Sequence, residues 1–230
     1  MRQLPRSLML FAAGFGTRMA ALTADRPKPL IKVAGQALID HALGQAQGVE
    51  RIVVNLHYRP EQIRAHLAGR PEIAFSAELE TILETGGGLR KALPLLNSDP
   101  VYTLNTDAVW TGPGALGQLA EAWDPARMDG LLLLVPLERA VGHRGAGDFS
   151  MDGAGQLRRG GDLVYTGAQI IVTGGLAAID EAAFSLNLLW DRMLAQGRLF
   201  GVMHRGGWCD VGRPESIALA ETMLKDAPDV

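Results

Sequence analysis

An α/β fold, with one doubly wound, mixed but mostly parallel sheet in a single domain, follows from three observations on this sequence of 230 residues. Short apolar runs recur at residues 7–13, 51–56, 100–105 and 130–137. Each is close to continuously apolar, as strands are when helices cover both faces of a sheet. Between the runs lie stretches of helical periodicity at 36–47, 60–68 and 114–123. Such alternation of strand and helix through the first half predicts a Rossmann-like architecture.

Taken in order, the run at 7–13 leads directly into a glycine-bearing loop, and 36–47 supplies the first helix. The runs at 51–56 and 100–105 carry the sheet onward, with helices at 60–68 and 114–123. Beyond residue 137 the pattern loosens. Gly142, Gly145, Gly147, Gly153, Gly155, Gly160 and Gly161 predict turns and short antiparallel pieces that shape a second pocket. Residues 162–173 read as a further strand, and helices are expected at 186–196 and 214–224, flanking the apolar run Leu199–Met203. No internal repeat, low-complexity tract or linker divides 1–230, so one domain is expected.

Composition excludes several classes. A hydrophobic fraction of 47% with 20% charged residues is that of a folded globular protein. A net charge of -3 gives no reason to expect nucleic acid or an anionic membrane as partner. One cysteine, Cys209, permits neither an internal disulfide nor a thiolate cluster, and the histidines do not fall at metal-ligand spacing. The apolar stretch Leu8 to Ala13 is too short for a signal peptide core and leads to no cleavage site. No segment reaches the roughly 20 apolar residues of a membrane span. A cytoplasmic protein is expected. A homo-oligomer is compatible with the sequence, which does not itself reveal oligomeric state.

The loop after the first strand, Ala12-Ala13-Gly14-Phe15-Gly16-Thr17-Arg18, is built for an anion. Gly14 and Gly16 let the backbone turn sharply and bring amides near a phosphate, Thr17 adds a hydroxyl and Arg18 a charged fork. It is neither a Walker A loop nor a full dinucleotide fingerprint, and alone it reads equally as a tight turn. Shortly afterwards Pro27 and Pro29 bracket Lys28 in extended backbone. Two cations and a glycine loop in one short stretch form a triphosphate clamp.

The whole segment, AAGFGTRMAALTADRPKPLIKVAGQALI, resembles the N-terminal signature of the sugar-1-phosphate nucleotidyltransferases, approximately AAGxGTRMxPLTxxxPKPLxxVxGxPLI. Ala21 and Ala37 stand where that signature has proline. The resemblance implies the nucleotide-diphospho-sugar transferase fold, with a nucleotide-binding half at about 1–125 and a sugar-binding half at about 126–230. It implies that Ala12, Ala13, Gly14, Gly16, Thr17 and Arg18 hold the nucleotide, and that Lys28 stabilises charge at the reacting phosphorus.

Joining two anionic substrates requires their charge to be neutralised, and Mg2+ with one or two carboxylates does this. Asp107 follows the strand that ends in Asn105, a position also common for simple turns. By resemblance to the family's Asn-Gly-Asp element it binds magnesium, Asn105 faces the nucleotide, and Thr106 replaces the commoner glycine. Asp210, in Trp208-Cys209-Asp210-Val211-Gly212-Arg213-Pro214-Glu215, resembles the W-x-D-x-G-x-P-E element and supplies the second metal ligand. Arg18, Lys28, Asp107 and Asp210 are therefore the expected catalytic set.

The run LETGGGLRKALPLL, at 83–96, resembles its counterpart in the bacterial N-acetylmuramate 1-phosphate uridylyltransferases. Its three glycines suit close backbone approach to a flat ligand, and the resemblance assigns Thr85 and Gly86 to the base and ribose, with Glu78 as a weaker candidate. Tyr165-Thr166-Gly167 resembles the family's F/Y-T-G strand beside the sugar. Asp148 is a further hydroxyl acceptor, and Asn187 reads equally as a helix N-terminal residue. Many relatives carry a C-terminal β-helix. This sequence ends one helix after the second aspartate motif, so a bare catalytic domain is expected.

The expected reaction is transfer of a nucleotidyl group, most simply from UTP, to N-acetylmuramate 1-phosphate or a related sugar 1-phosphate, releasing pyrophosphate. Guanylyl transfer to mannose 1-phosphate, cytidylyl transfer to phosphocholine and a non-catalytic nucleotide sensor are the alternatives.

Overall fold

The computed structural model describes residues 4–227. Strand β1 (Ser7–Phe11) enters a loop with two short 3-10 turns, Thr17–Thr23 and Lys28–Leu30. A hairpin of β2 (Lys32–Val33) and β3 (Gln36–Ala37) precedes helix α1 (Leu38–Leu43). This hairpin takes residues that periodicity assigns to the helix. Ala34 and Gly35 both adopt positive φ, the backbone of a tight two-residue hairpin, and Lys32 and Val33 pair with Ala37 and Gln36.

The next elements are β4 (Arg51–Leu56), α2 (Pro60–His66), β5 (Ile73–Ala77), α3 (Glu84–Leu96) and β6 (Val101–Asn105). The sequence reading passes over β5. It is the edge strand, its residues Ile73, Ala74 and Phe75 are only partly buried, and no long apolar run marks it. After β7 (Ala108–Trp110) and α4 (Ala115–Ala122) come β8 (Gly130–Pro136), β9 (Ala140–Val141), β10 (Phe149–Met151), β11 (Leu157–Arg159) and β12 (Leu163–Ile171). Helix α5 (Asn187–Ala195), β13 (Leu199–Met203), β14 (Trp208–Asp210) and α6 (Glu215–Asp226) complete the described chain.

The main sheet runs β5-β4-β1-β6-β12-β8-β13. Along this path β12 alone opposes the rest: it is antiparallel to β6 and β8, and the other neighbours are parallel. The sheet is thus mixed and mostly parallel, continuous through both halves of the chain. Alternate residues feed two cores. Leu8, Leu10, Ile52 and Val54 pack to one side beneath α1, α2 and α4 residues such as Ile39, Ile63 and Leu119. Met9 and Val53 point to the other, against Leu89 and Ala92 of α3 and Leu189 of α5. Each fully buried leucine contributes about 1.5–3 kcal/mol, so both faces are firmly covered.

A smaller three-stranded sheet, β7-β14-β9, stands beside the first. A third apolar cluster lies against it, in which Met19 and Ile31 from the loop after β1 pack on Val109, Cys209, Val211 and Ala220. That cluster ties the loop to the carboxyl-terminal part of the chain.

Candidate active site

A cleft of about 310 Å³ opens at the carboxyl ends of β1, β4 and β6, where ligands bind in open α/β sheets. The loop after β1 forms its floor: Ala12, Ala13, Gly14, Gly16, Thr17 and Arg18 all line it, with Lys28, Asn105, Thr106, Asp107 and Thr85. The two glycines do different work. Nothing lies within 4 Å of a Cβ placed on Gly14, which keeps space open beside the backbone. Gly16 has φ +64°, and a Cβ there would meet the Lys28 Cβ at 2.7 Å. Gly16 therefore lets the loop close onto the lysine segment.

Lys28 is buried, and its Nζ donates to Asp107 Oδ2 at 2.9 Å. The facing carboxylate compensates the burial of this ammonium group, which would be costly unpaired. Thr106, the substitution for glycine, is buried with its Oγ1 donating to Phe11 O at 2.7 Å. It is absent from the residues at positive φ, so the turn before Asp107 does not require glycine.

The small sheet brings the distant aspartate in. In the antiparallel register of β14 on β7, Asp210 stands opposite Ala108, and Val211 N donates to Asp107 O at 2.8 Å. Burial pushes the Asp210 carboxyl above the ordinary carboxylate range, and the neighbouring Asp107 carboxylate adds to the shift; Lys28, Arg18 and His143 oppose it. A Cβ on Gly212 would lie 3.0 and 3.1 Å from the Asp210 oxygens and 3.2 Å from Arg18 Nη1, so this glycine leaves room between them. Two carboxylates converge, and cationic side chains lie against them. Hard oxygen donors of this kind suit a magnesium ion whose remaining ligands are phosphate and water. Among the described residues no group of three or more His, Cys, Asp or Glu side chains could hold a metal. Cys209 is fully buried, its thiol pushed up to about 12 by burial, and it serves as packing.

Sequence reasoning missed Asn55 and gave Glu78 little weight. Asn55 Oδ1 accepts from Ala12 N at 2.7 Å, its Nδ2 donates to Glu78 Oε1 at 2.7 Å, and Glu78 Oε2 accepts from Leu83 N at 2.7 Å. Both side chains are buried. This chain of bonds fixes the loop after β1 relative to the start of α3. The available signal was a lone asparagine inside an apolar strand, since a buried amide needs partners.

The glycine run is part of a helix: Gly86, Gly87 and Gly88 lie inside α3. Gly86 is outside the cleft lining: its N–H donates to Phe184 O at 2.8 Å, and a Cβ would meet the Phe184 ring at 2.3 Å. These glycines serve helix packing. Thr85 does line the cleft, and its Oγ1 accepts from Leu186 N at 3.0 Å.

The sugar-side candidates scatter, and none lines the cleft. The Tyr165 hydroxyl is engaged with Thr103 and Gln169, its pKa raised by burial. Thr166 Oγ1 donates to Leu133 O at 2.9 Å in the core. The sheet thus occupies the hydroxyls of both residues. Gly167 has φ +89° and abuts the cleft residue Asn105, whose Cβ lies 2.9 Å from a Cβ built there. Asp148 is exposed, with Oδ2 accepting from Tyr165 N at 2.9 Å. Asn187 is exposed at the first turn of α5, where its N–H and Nδ2 donate to Ser185 Oγ, which is the helix-end role.

Similarity to known proteins agrees with this geometry. The MobA-like NTP transferase domain matches residues 8–141, more than half of the chain. The chain belongs to the MobA-like NTP transferase family. It is a nucleotidyltransferase, and the resemblance to the sugar-1-phosphate enzymes extends well past the first motif. It is 42% identical to the N-acetylmuramate alpha-1-phosphate uridylyltransferase of Caulobacter vibrioides over 99% of this chain and 100% of that one. The enzyme of the same name from Neisseria meningitidis is 33% identical, over 89% and 92%. A mannose-1-phosphate guanyltransferase from Hypocrea jecorina is 29% identical, but the match spans 61% of its length. Among solved structures, a UDP-glucose pyrophosphorylase complexed with UDP-glucose shares the fold with TM-score 0.79 at 13% identity, over 96% of this chain and 99% of that one.

Proposed function

We propose that this chain transfers the uridylyl group of UTP to N-acetylmuramate 1-phosphate in a magnesium-dependent reaction that releases pyrophosphate. The observation that carries the reading is the meeting of Asp210 with Asp107, Lys28 and Arg18, the last three of which line the cleft. The two relatives that match nearly end to end are both named for that activity, which favours uridine over guanosine. A cytoplasmic location and a place in recycling cell-wall sugar belong to the same proposal.

In this reading the loop from Ala12 to Arg18 receives the triphosphate. An ionised oxygen of the sugar phosphate forms a bond to the α-phosphorus while the bond to the bridging β-phosphate oxygen breaks in line. No proton is removed from the attacking oxygen, so no general base is needed, consistent with a cleft that offers cations and carboxylates. Arg18 and Lys28 stabilise the negative charge that builds on the phosphate oxygens. The bracketing prolines and the Asp107 ion pair hold Lys28 in place for this role. A magnesium ion held by Asp107, Asp210 and substrate phosphates would neutralise charge on the reacting groups. The sugar is proposed to lie beyond Asn105, on the side where Gly167 abuts that residue and Asp148 is exposed.

Pyrophosphate release, measured with magnesium across the four ribonucleoside triphosphates and a panel of sugar phosphates, tests the assignment. UTP with N-acetylmuramate 1-phosphate should give the highest kcat/KM. A preference for GTP with mannose 1-phosphate would replace this substrate assignment with the guanylyl one.

A further inference from the structure

Glu84 is the first residue of α3 and lines the cleft. Its side chain is exposed and its carboxylate has no hydrogen-bond or ion-pair partner among the described residues. Its backbone is left-handed, with φ +58°, a conformation that side chains bearing a Cβ rarely take.

The turn that carries it is pinned from both directions. Leu83 N donates to the buried Glu78 carboxylate, Phe184 N donates to Leu83 O at 3.1 Å, and Gly86 N donates to Phe184 O. Through Glu78 and Asn55 the same turn is bonded to Ala12 of the phosphate loop. Glu84 is thus held at a fixed place in the cleft wall.

Topology says which part of a nucleotide that wall meets. In the sheet, β4 and β5 lie to one side of β1, and β6 with Asp107 lies to the other. Asn55 ends on the β4 side, and Ile82, Glu84 and Thr85 follow β5. Lys28 and the aspartate pair therefore occupy the far side of the loop from Glu84. An unpaired carboxylate repels a triphosphate, so the phosphates face the cations and the nucleoside faces Glu84.

We propose that Glu84 is a nucleoside-binding residue whose carboxylate accepts hydrogen bonds from the ribose hydroxyls of the bound triphosphate. The vicinal diol presents two donors to an acceptor-only group. The base is the poorer partner, because the N3–H of uracil is flanked by two carbonyl oxygens that a carboxylate repels. Acidic side chains take the same role at the ribose of other doubly wound folds. This inference rests on the cleft taking a ribonucleoside triphosphate and not on which base it carries.

The test compares binding of UTP and 2′,3′-dideoxy-UTP by calorimetry, in wild type, Glu84→Ala and Glu84→Gly, with melting temperatures alongside. Glu84→Ala should weaken UTP binding about tenfold or more, the scale of losing hydrogen bonds to a charged group, with little further loss for the dideoxy analogue. Glu84→Gly adopts φ +58° without strain, so it should show the same selective loss with an undiminished melting temperature. Unchanged UTP binding in Glu84→Ala, or equal losses for the two nucleotides, would overturn the assignment. If wild type binds another triphosphate more tightly than UTP, the same comparison is made with that nucleotide and its dideoxy form. Failure of wild type to bind any of the four refutes the triphosphate reading, and the role of Glu84 falls with it.

Discussion

At Gly88 the helix α3 comes as close as atoms allow to the bonded pair behind the loop that follows β1. A Cβ there would lie 2.8 Å from Glu78 Oε1 and 3.1 Å from Asn55 Nδ2. Gly88→Ala should therefore push the helix off that pair and loosen the Asn55 bond to Ala12. Overpacking of this kind costs about 2 kcal/mol, readable as a lowered denaturation midpoint, with a raised KM for the nucleotide. Stability and KM both unchanged would show that the network yields without cost. The sequence displays the three glycines but not their purpose. Glycine is legible as permission for close approach, while what approaches, here Phe184, Ala182 O and Glu78, is decided by chain segments that only folding brings near. Gly16 was easier to read, because its neighbour Lys28 lies in the same short motif.

Among the elements, the turn from β13 to β14 holds a buried imidazole that supports the small sheet from behind. His204 Nδ1 accepts from Gln118 Nε2 of α4 at 2.8 Å, and its Nε2 donates to Gly207 O at 3.2 Å, an arrangement of the neutral ring. Burial is the main cause holding its pKa below the usual histidine range, and Arg139 and Arg205 add to it; hydrogen bonds to Gly207 and Thr111 oppose. A depressed folded pKa means that the unfolded chain takes the proton first as pH falls. The stabilising contribution is whole above about pH 6.5 and is lost as pH drops toward the lower folded value. Denaturation midpoints should fall between about pH 7.5 and about pH 5.5, and His204→Asn should flatten that dependence. An unaltered slope in the variant would assign the pH effect to other groups. Elements made by long apolar runs, β1, β4, β6 and β8, are legible in the sequence because burial on both faces leaves a continuous signal. The short strands β7, β9 and β14 carry no such mark. Segments of two or three residues are strands only because each finds the others, so the sheet that aligns the aspartates appears in the structure alone.

Across the whole molecule, the glycine loop after β1 and the second aspartate lie at opposite ends of the chain and meet through two devices. One is the register of β14 on β7, and the other is the apolar cluster of Met19, Ile31, Cys209 and Val211. Resemblance named Asp107 and Asp210 in advance, and strand ends placed the first, but no local pattern shows that they converge. The candidate sugar residues were less legible, since Tyr165 and Thr166 look polar in sequence while the core uses their hydroxyls. The proposed reaction requires the paired carboxylates to hold the cation for nucleotidyl transfer. Its most direct test is magnesium-dependent pyrophosphate release by Asp107→Asn and Asp210→Asn, with nucleotide binding and melting temperature measured on the same samples. Burial and the facing Asp107 carboxylate disfavour the charge on Asp210, so Asp210→Asn should keep or gain stability. Release should fall by roughly a thousandfold or more in each variant while UTP still binds. Full turnover in either folded variant would contradict it.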